Sequence, residues 1–540
     1  MDWTIFKGMK NDIRLRLPYY RSDWTDAWNY RVIPATVYIF FTNLLPALAF
    51  SFDLYERTQH SFGVNEILLS TALSAVIFSL FSGQPLTIIG VTGPISVFNY
   101  TIYRIVEPMG VPYYPFTAWV YLWSMLMHFL IAMFNCVYAL KYITRFSCDV
   151  FGIYNAILYI QKGAEVISHV FSYQQNQHVL GFSGVVLALM TGGFGYLGFL
   201  IGEKSPSFNN PVRQFLADYS TPMVVIFFTG FAHIGLFRQF KIPTSPKTRA
   251  FYPTLYPENE DVWGTEYHRI VWFVKFWEIK VGYVFLAIPF AILLTILFYF
   301  DHNVSSLMAQ DSVFRLKKPG GFHWDFFLLG VVTGICGILG LPAPNGLIPQ
   351  APLHTERLAI IKSRPKEPEV DKMTPHEAYI SGVVEQRVSN LGQGSLTLGC
   401  MAGPLSTVIG LVPQPVIAGL FWVMGSRTFT VNGVVHKMYV LLTDPHMVEF
   451  EDESTQLPRK VLAAFVAWES FSFGATFAMT STIAAVGFPI LSVGFAALAA
   501  FVSPRIFSKE HIEILDEPTA DEFTMASASI LDARDLEPRD

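Results

Sequence analysis

The chain has 540 residues, of which 52% are hydrophobic and only 15% charged, and its mean hydropathy is +0.39. That balance excludes an ordinary soluble domain and indicates an all-α polytopic membrane protein, because the alternating pattern of a membrane β-barrel is absent. A net charge of −5 without a basic aromatic patch argues against nucleic acid as a partner. Cys136, Cys148, Cys336 and Cys400 are too scattered for a disulfide framework or a metal site.

Residues 1–31 are polar and basic, and read as a cytoplasmic amino-terminal segment. Spans are predicted at about Val32 to Phe52, Val64 to Phe81, a broken element at Leu86 to Val106, Phe116 to Leu140, Ser147 to Phe171, Val179 to Ile201 and Val212 to Leu236. Lys141, Arg145 and Lys204 then fall in cytoplasmic connectors, as the positive-inside rule asks. The long loop 237–280 is expected outside despite its Lys241, Lys247, Arg249 and Lys275. Its Trp263, Tyr267, Trp272 and Trp277 suggest that part of it lies at the interface. A second group follows near Val281 to Met308, Phe326 to Leu341, a broken element at Leu339 to Ile360, Val388 to Ile409, Gln414 to Gly425, Val461 to Thr480 and Thr482 to Val502. A charged linker covers Lys362 to Arg387, a polar connector runs to Lys460, and residues 503–540 read as a disordered cytoplasmic tail. Ile514-Leu515 in that tail matches an acidic dileucine signal, but such matches are frequent by chance and a terminal helix end is the preferred reading.

The two broken elements set the functional expectation. In Ser82 to Phe98, Gly83, Pro85, Gly90, Gly93 and Pro94 interrupt an apolar run, and Thr92 suits the cap of a half-helix that starts at Pro94. In the second, Pro342, Pro344, Pro349 and Pro352 surround Asn345 and Gly346, with Asn345 as the expected cap and Gln350 about one turn further on. Irregular chain at membrane depth survives only where it is buried in protein or lines a wet cavity. Such segments at matching positions of two halves mark a transporter site. About fourteen elements in a 7+7 inverted repeat follow, 32–236 and 281–502, with facing half-helix amino-termini that favour an anion.

Asp301 is an intramembrane carboxylate, costly there, and so a candidate for proton coupling or for tuning the charge of the site. Glu469 is a second such acid, for which an interhelical hydrogen bond is as good an explanation. Gln350 offers donor and acceptor together, which suits a neutral or hydroxyl-rich solute better than a bare halide, while a helix-to-helix hydrogen bond is an even alternative. His128 and Asn135 read as packing polar residues, and Glu385-Gln386-Arg387 as the anchor of a helix start. No Walker loop, Gly-x-Ser-x-Gly or zinc-spaced His pair occurs, so no enzyme signature and no cofactor are expected.

GVNEILLSTALSAVIFSLFSGQPLTIIGVTGPISVFN, KPGGFHWDFFLLGVVTGICGILGLP and the EQRVSNL run resemble the solute carrier 4 family of bicarbonate and anion exchangers, from Tyr19 to Ile506. LPAPNGLIPQAPLHTERLA resembles its borate-transporter branch and the fungal boron efflux members. The resemblance implies a core domain (about 32–140 plus 281–409), a gate domain (about 147–236 plus 412–502) and a homodimer formed through the gate. It also implies a substrate site at Thr92, Gly93, Pro94, Asn345, Gly346 and Gln350, with Asp301 at a family glutamate and Gln350 where chloride/bicarbonate exchangers carry arginine. The expected function is export of borate or boric acid across the plasma membrane, or a vacuolar or endosomal one, with both termini cytoplasmic. The rivals are a bicarbonate or other anion exchanger and a non-transporting sensor or scaffold.

Overall fold

A computed structural model describes residues 5–172, 178–203, 205, 207–245, 248–257, 268–363, 378–444, 455, 457–516 and 524–525. Lys204, Lys247, Trp263, Tyr267, most of the charged linker and most of the tail lie outside the described residues.

The first half contains α1 (Lys7–Arg16), α2 (Ser22–Thr25), α3 (Val32–Arg57), α4 (Val64–Phe81), strand β1 (Ile89–Gly90), α5 (Gly93–Val106), α6 (Tyr113–Met133), α7 (Arg145–Ser172), α8 (His178–Glu203), α9 (Asn210–Ala232) and α10 (Gly235–Gln239). The second contains α11 (Val281–Ala309), α12 (Phe322–Leu339), β2 (Asn345–Gly346), α13 (Gln350–Arg357), β3 (Ala359–Ser363), β4 (Ala378–Val383), α14 (Val388–Gly399), α15 (Gly403–Ile409), α16 (Gln414–Thr430), α17 (Gly433–Leu442), α18 (Arg459–Thr480), α19 (Phe488–Ile506) and α20 (Lys509–Leu515). Nine helices among the described residues are long and apolar enough to cross a bilayer.

Several boundaries differ from expectation, each for a local reason. The span expected over Val388 to Ile409 is two pieces, α14 and α15, because Gly399 and Pro404 end one helix and start the next. The polar connector before Lys460 contains α17, whose Asn432 side chain accepts from the Val434 amide at 3.0 Å and caps it. The charged linker begins and ends in the antiparallel pair β3–β4, a small exception to the all-α expectation. Pro504 does not end the last span, and the described start of the tail is helical. There α20 buries Leu515 against Phe146 and Phe465, which leaves that leucine unavailable as an exposed signal.

The amino-terminal segment packs under the bundle. Gly8 lies so close to His323 that a Cβ would sit 2.6 Å from the ring, and the Gly8 amide donates to Asn135 Oδ1 at 2.7 Å. Asp23 is fully buried and gathers three cations: Arg16 Nη2 at 2.7 Å, Lys318 Nζ at 3.0 Å and Arg387 Nε at 2.9 Å. Arg387 also donates to the carbonyls of Ser79 and Ser82 at the end of α4, while Glu385 accepts from the Lys317 and Lys318 amides. The Glu385-Gln386-Arg387 run thus anchors the start of α14, as expected. The loop after α10 is tied to the helix ends: Arg269 donates to the carbonyls of Gly340, at 2.9 Å, and Leu339 at the end of α12, and Glu66 of α4 accepts from the Thr254 amide at 2.8 Å.

Packing sorts the helices into two groups. In one, α4 lies on α14, and α6 on α11 and α12; in the other, α16 lies on α7 and α8, and α8 on α9.

Candidate substrate site at the crossing of two broken helices

Past the end of α4, Gly83 and Pro85 prevent a continued helix, and the freed backbone groups find partners one by one. Asp325 of α12 accepts from the amides of Gly83 (2.5 Å) and Gln84 (2.9 Å). The Leu86 carbonyl meets His354 Nδ1 at 3.0 Å, and the Thr87 carbonyl accepts from Asn390 Nδ2 at 3.3 Å. The Ile88 carbonyl accepts from the Leu347 amide at 2.9 Å. The second broken segment is satisfied likewise, by Ser70 Oγ donating to the Pro342 carbonyl (2.6 Å) and by the Ala343 amide donating to the Tyr121 hydroxyl (3.2 Å). Unwound backbone is thus stable here because protein groups take the place of water at these carbonyls and amides.

The two segments meet directly. Strands β1 and β2 pair antiparallel, Ile89 opposite Gly346 and Gly90 opposite Asn345, so the chain halves cross at their least regular points. Gly346 is required for lack of room: a Cβ would lie 2.8 Å from His302 Cα, 2.9 Å from Ser305 Cβ and 3.2 Å from the Asp301 carbonyl. A Cβ on Gly90 would stand 3.0 Å from Asn43 Oδ1 and from Leu347. Helix α5 then starts as expected, with Thr92 as cap, its Oγ1 accepting from the Ile95 amide at 3.4 Å, and Pro94 in the first turn.

The other half-helix corrects the expectation. Asn345 and Gly346 are strand, not cap and first turn, and the Asn345 side chain bonds its neighbour's amide at 2.8 Å. Helix α13 begins at Gln350 behind Pro349, without a side-chain cap, so Gln350 stands at its amino-terminus and not a turn inside it. Pro352 falls in the first turn, where proline is tolerated, and the helix still reaches Arg357.

Asp301, on α11, is 1% exposed; its Oδ2 accepts from Asn345 Nδ2 at 3.2 Å. Gln350, 3% exposed, donates from Nε2 to the Thr42 carbonyl of α3 at 3.4 Å. Among the described residues, Asp301 Oδ1 and Gln350 Oε1 have no donor. The arrangement therefore offers acceptors attached to the crossing beside two half-helix starts. Across from Gly93, Leu158 of α7 and Phe50 of α3 lie 3.1 and 3.2 Å from where a Cβ would be, and Phe50 packs on Tyr159 and Phe421.

The structure joins Asp301, Asn345 and Gly346 directly and pairs Asn345 with Gly90, two residues before Thr92, and Gly346, four residues before Gln350, with Ile89, but leaves Glu469 apart. On α18, that carboxylate accepts from Lys437 Nζ at 2.5 Å, and Lys437 reaches Asp149 Oδ2 at 3.0 Å, an interhelical ion pair whose partners lie outside the crossing. His128 bonds the Ser124 carbonyl at 2.7 Å and stacks on Phe326, a packing role as expected. Sequence reasoning missed the amide chain from Asn43 to Gln393 (3.2 Å) and on to Asn390 (3.0 Å), which ties α3 to α14 and the first broken segment. Its signal was available: two amides three residues apart on one face of a span.

The model of the HCO3- transporter integral membrane domain matches residues 4–185 and 182–520. A Schizosaccharomyces pombe protein whose name records a transporter without a substrate is 48% identical over 94% of this chain and 95% of its own length. Boron transporter 1 of Saccharomyces cerevisiae is 42% identical over 98% of this chain and 89% of its own. The murine solute carrier 26 family member A9 anion transporter, in an inward-facing state, shares the fold at 12% identity with a TM-score of 0.53, covering 90% of this chain and 70% of that one.

Proposed function

The chain belongs to the HCO3- transporter family, and from that premise we propose that it exports borate or boric acid across the plasma membrane by alternating access, as a transporter and not an enzyme. One observation carries the choice of substrate: the buried, unpaired acceptors Asp301 Oδ1 and Gln350 Oε1 at a crossing whose position 350 holds an amide where a fixed cation would suit bicarbonate. Boric acid presents three O–H donors, which match such acceptors, and a buried acceptor left unmatched costs about 1–3 kcal/mol. The name of the Saccharomyces cerevisiae relative supports the same choice.

In this reading the substrate sits between Thr92, Gly93 and Pro94 on one side and Asn345, Gly346 and Gln350 on the other. Asp301 accepts a substrate hydroxyl and holds or releases the coupling proton, held in place by Asn345. The core, about 32–140 plus 281–409, carries the crossing past a gate of about 147–236 plus 412–502, through which two copies associate. Residues 237–280 lie outside and both termini in the cytoplasm. The test is flux into proteoliposomes of borate against bicarbonate, with and without an imposed pH gradient. Asp301→Asn should abolish borate flux or its pH dependence while the protein stays folded; chloride-dependent bicarbonate flux without borate flux would overturn the assignment.

A further inference from the structure

Among the described residues, two sets of ion pairs join the helices assigned to the core to those assigned to the gate, and they lie at opposite ends of α3. Near its carboxyl end, Asp53 and Arg57 face Lys162 and Glu165 of α7. Arg57 Nε lies 2.8 Å from Asp53 and its Nη2 2.5 Å from Glu165, while Lys162 Nζ lies 3.2 Å from Asp53 and 3.1 Å from Glu165. Tyr100 of α5 completes the cluster, its hydroxyl 3.4 Å from Lys162 Nζ and its ring 4.8 Å from the Arg57 guanidinium. Lys162 and Asp53 are almost fully buried. At the other end, Arg357 on the last turn of α13 stacks on Tyr38 of α3 and reaches Asp218 of α9 at 3.0 Å, with both side chains partly exposed. Tyr38 and Arg57 are separated along the helix by about 28 Å at 1.5 Å per residue. The crossing lies between the two levels, since α5 and α13 start from antiparallel strands and run apart.

We infer that these are two latches, one on each side of the substrate site, and that their unequal strength sets which side opens more readily. The Asp53–Arg57–Lys162–Glu165 latch is a mutually braced network around the buried Asp53 and Lys162, with Arg57 and Glu165 18% and 30% exposed at its rim, and separating it would strand those two buried charges. The Arg357–Asp218 latch is a single ion pair with no second pair bracing it among the described residues, and so of lower worth than a network. The second therefore yields first, and the resting protein favours the conformation open at the end of α13, the cytoplasmic side in the orientation proposed above. This inference rests on the core and gate assignment but not on the identity of the substrate.

The test uses the full chain in intact cells, with the four native cysteines replaced by serine and Leu158→Cys, beside Gly93, as reporter for a membrane-impermeant thiol reagent applied outside. Lys162→Gln and the milder Glu165→Gln should each label faster than the background chain, by about tenfold for Lys162→Gln, in which a buried partner is lost. Lys162→Arg should stay near background, and Asp218→Asn should label no faster than background. Equal labelling in Lys162→Gln, Glu165→Gln and background would overturn the latch, as would faster outside labelling in Asp218→Asn. Borate flux measured on the same variants separates the two claims. A labelling shift without borate flux retains the latch and removes the substrate, whereas intact flux with unmoved labelling does the reverse.

Discussion

Replacing Gly346 by alanine tests the crossing with a single methyl group. The added carbon would stand 2.8 Å from the His302 Cα and 3.2 Å from the Asp301 carbonyl, both backbone atoms of α11 that cannot rotate aside. Overpacking of a well-filled interior costs about 1–3 kcal/mol. Relief requires β2 to move off α11, and because Gly346 pairs with Ile89, that movement separates the strands and displaces Asn345 and Gln350. Gly346→Ala should therefore lower the apparent melting temperature in detergent, and borate efflux by about tenfold or more, since misplacement by an ångström at a reacting or binding centre has effects of that order. Gly474→Ala on α18 is the control: nothing lies within 4 Å of its Cβ position, and alanine in a helix is favoured over glycine by up to about 1 kcal/mol. A Gly346→Ala protein that melts and transports like the parent would refute the claim that the crossing is sterically closed.

Gln350→Ala removes one amide from the site and should raise KM for borate about fivefold with kcat retained, as loss of a hydrogen bond worth about 1 kcal/mol implies; a fall in kcat at constant KM would contradict a binding role. Asp23→Asn leaves Arg16, Lys318 and Arg387 around a neutral amide, and should destabilise the chain by about 3–5 kcal/mol, read by thermal or denaturant unfolding. Asp12, in the amino-terminal helix α1, is held well above the usual carboxylate range by burial, opposed by the Trp324 amide that donates to it at 2.9 Å and reinforced by the nearby Asp325. A folded state that binds this proton more tightly than the unfolded chain loses stability as pH rises from the ordinary carboxylate range through the raised value. Asp12→Asn should then match the parent in acid and exceed it above that window; parallel melting curves at all pH values would sink the assignment.

How much could be read without coordinates varies with the range of the forces involved. Thr92 and Pro94 announced their half-helix because capping and proline chemistry act within four residues. Asn345 has the same local credentials as a cap, yet the structure makes it strand. What decides there is Ile89–Gly90, brought from the other half of the chain, and no local window contains that partner. The start of α13 at Gln350 and the short α17 were obscured for related reasons, one set by the crossing and the other too brief for a hydropathy window. Asp301 was legible as a costly intramembrane charge, but its bond to Asn345 was not. Glu469 looked equally costly until Lys437, from a connector read as polar chain, supplied its counter-charge. The cations around Asp23 come from three separate stretches and leave no local pattern.

The pairing of β1 with β2 also bears on how the chain is made. When the first half enters the bilayer, Ile88 to Gly90 have been synthesised but their partners at Asn345 to Leu347 have not. Exposed carbonyls and amides are then left in a medium that cannot hydrate them. That half is therefore an incomplete folding unit until the ribosome has delivered the second, and its early state invites a chaperone, a neighbouring lipid headgroup or misassembly. A chain severed within 258–267 should regain the site when its two fragments are co-expressed, whereas either fragment alone should be degraded.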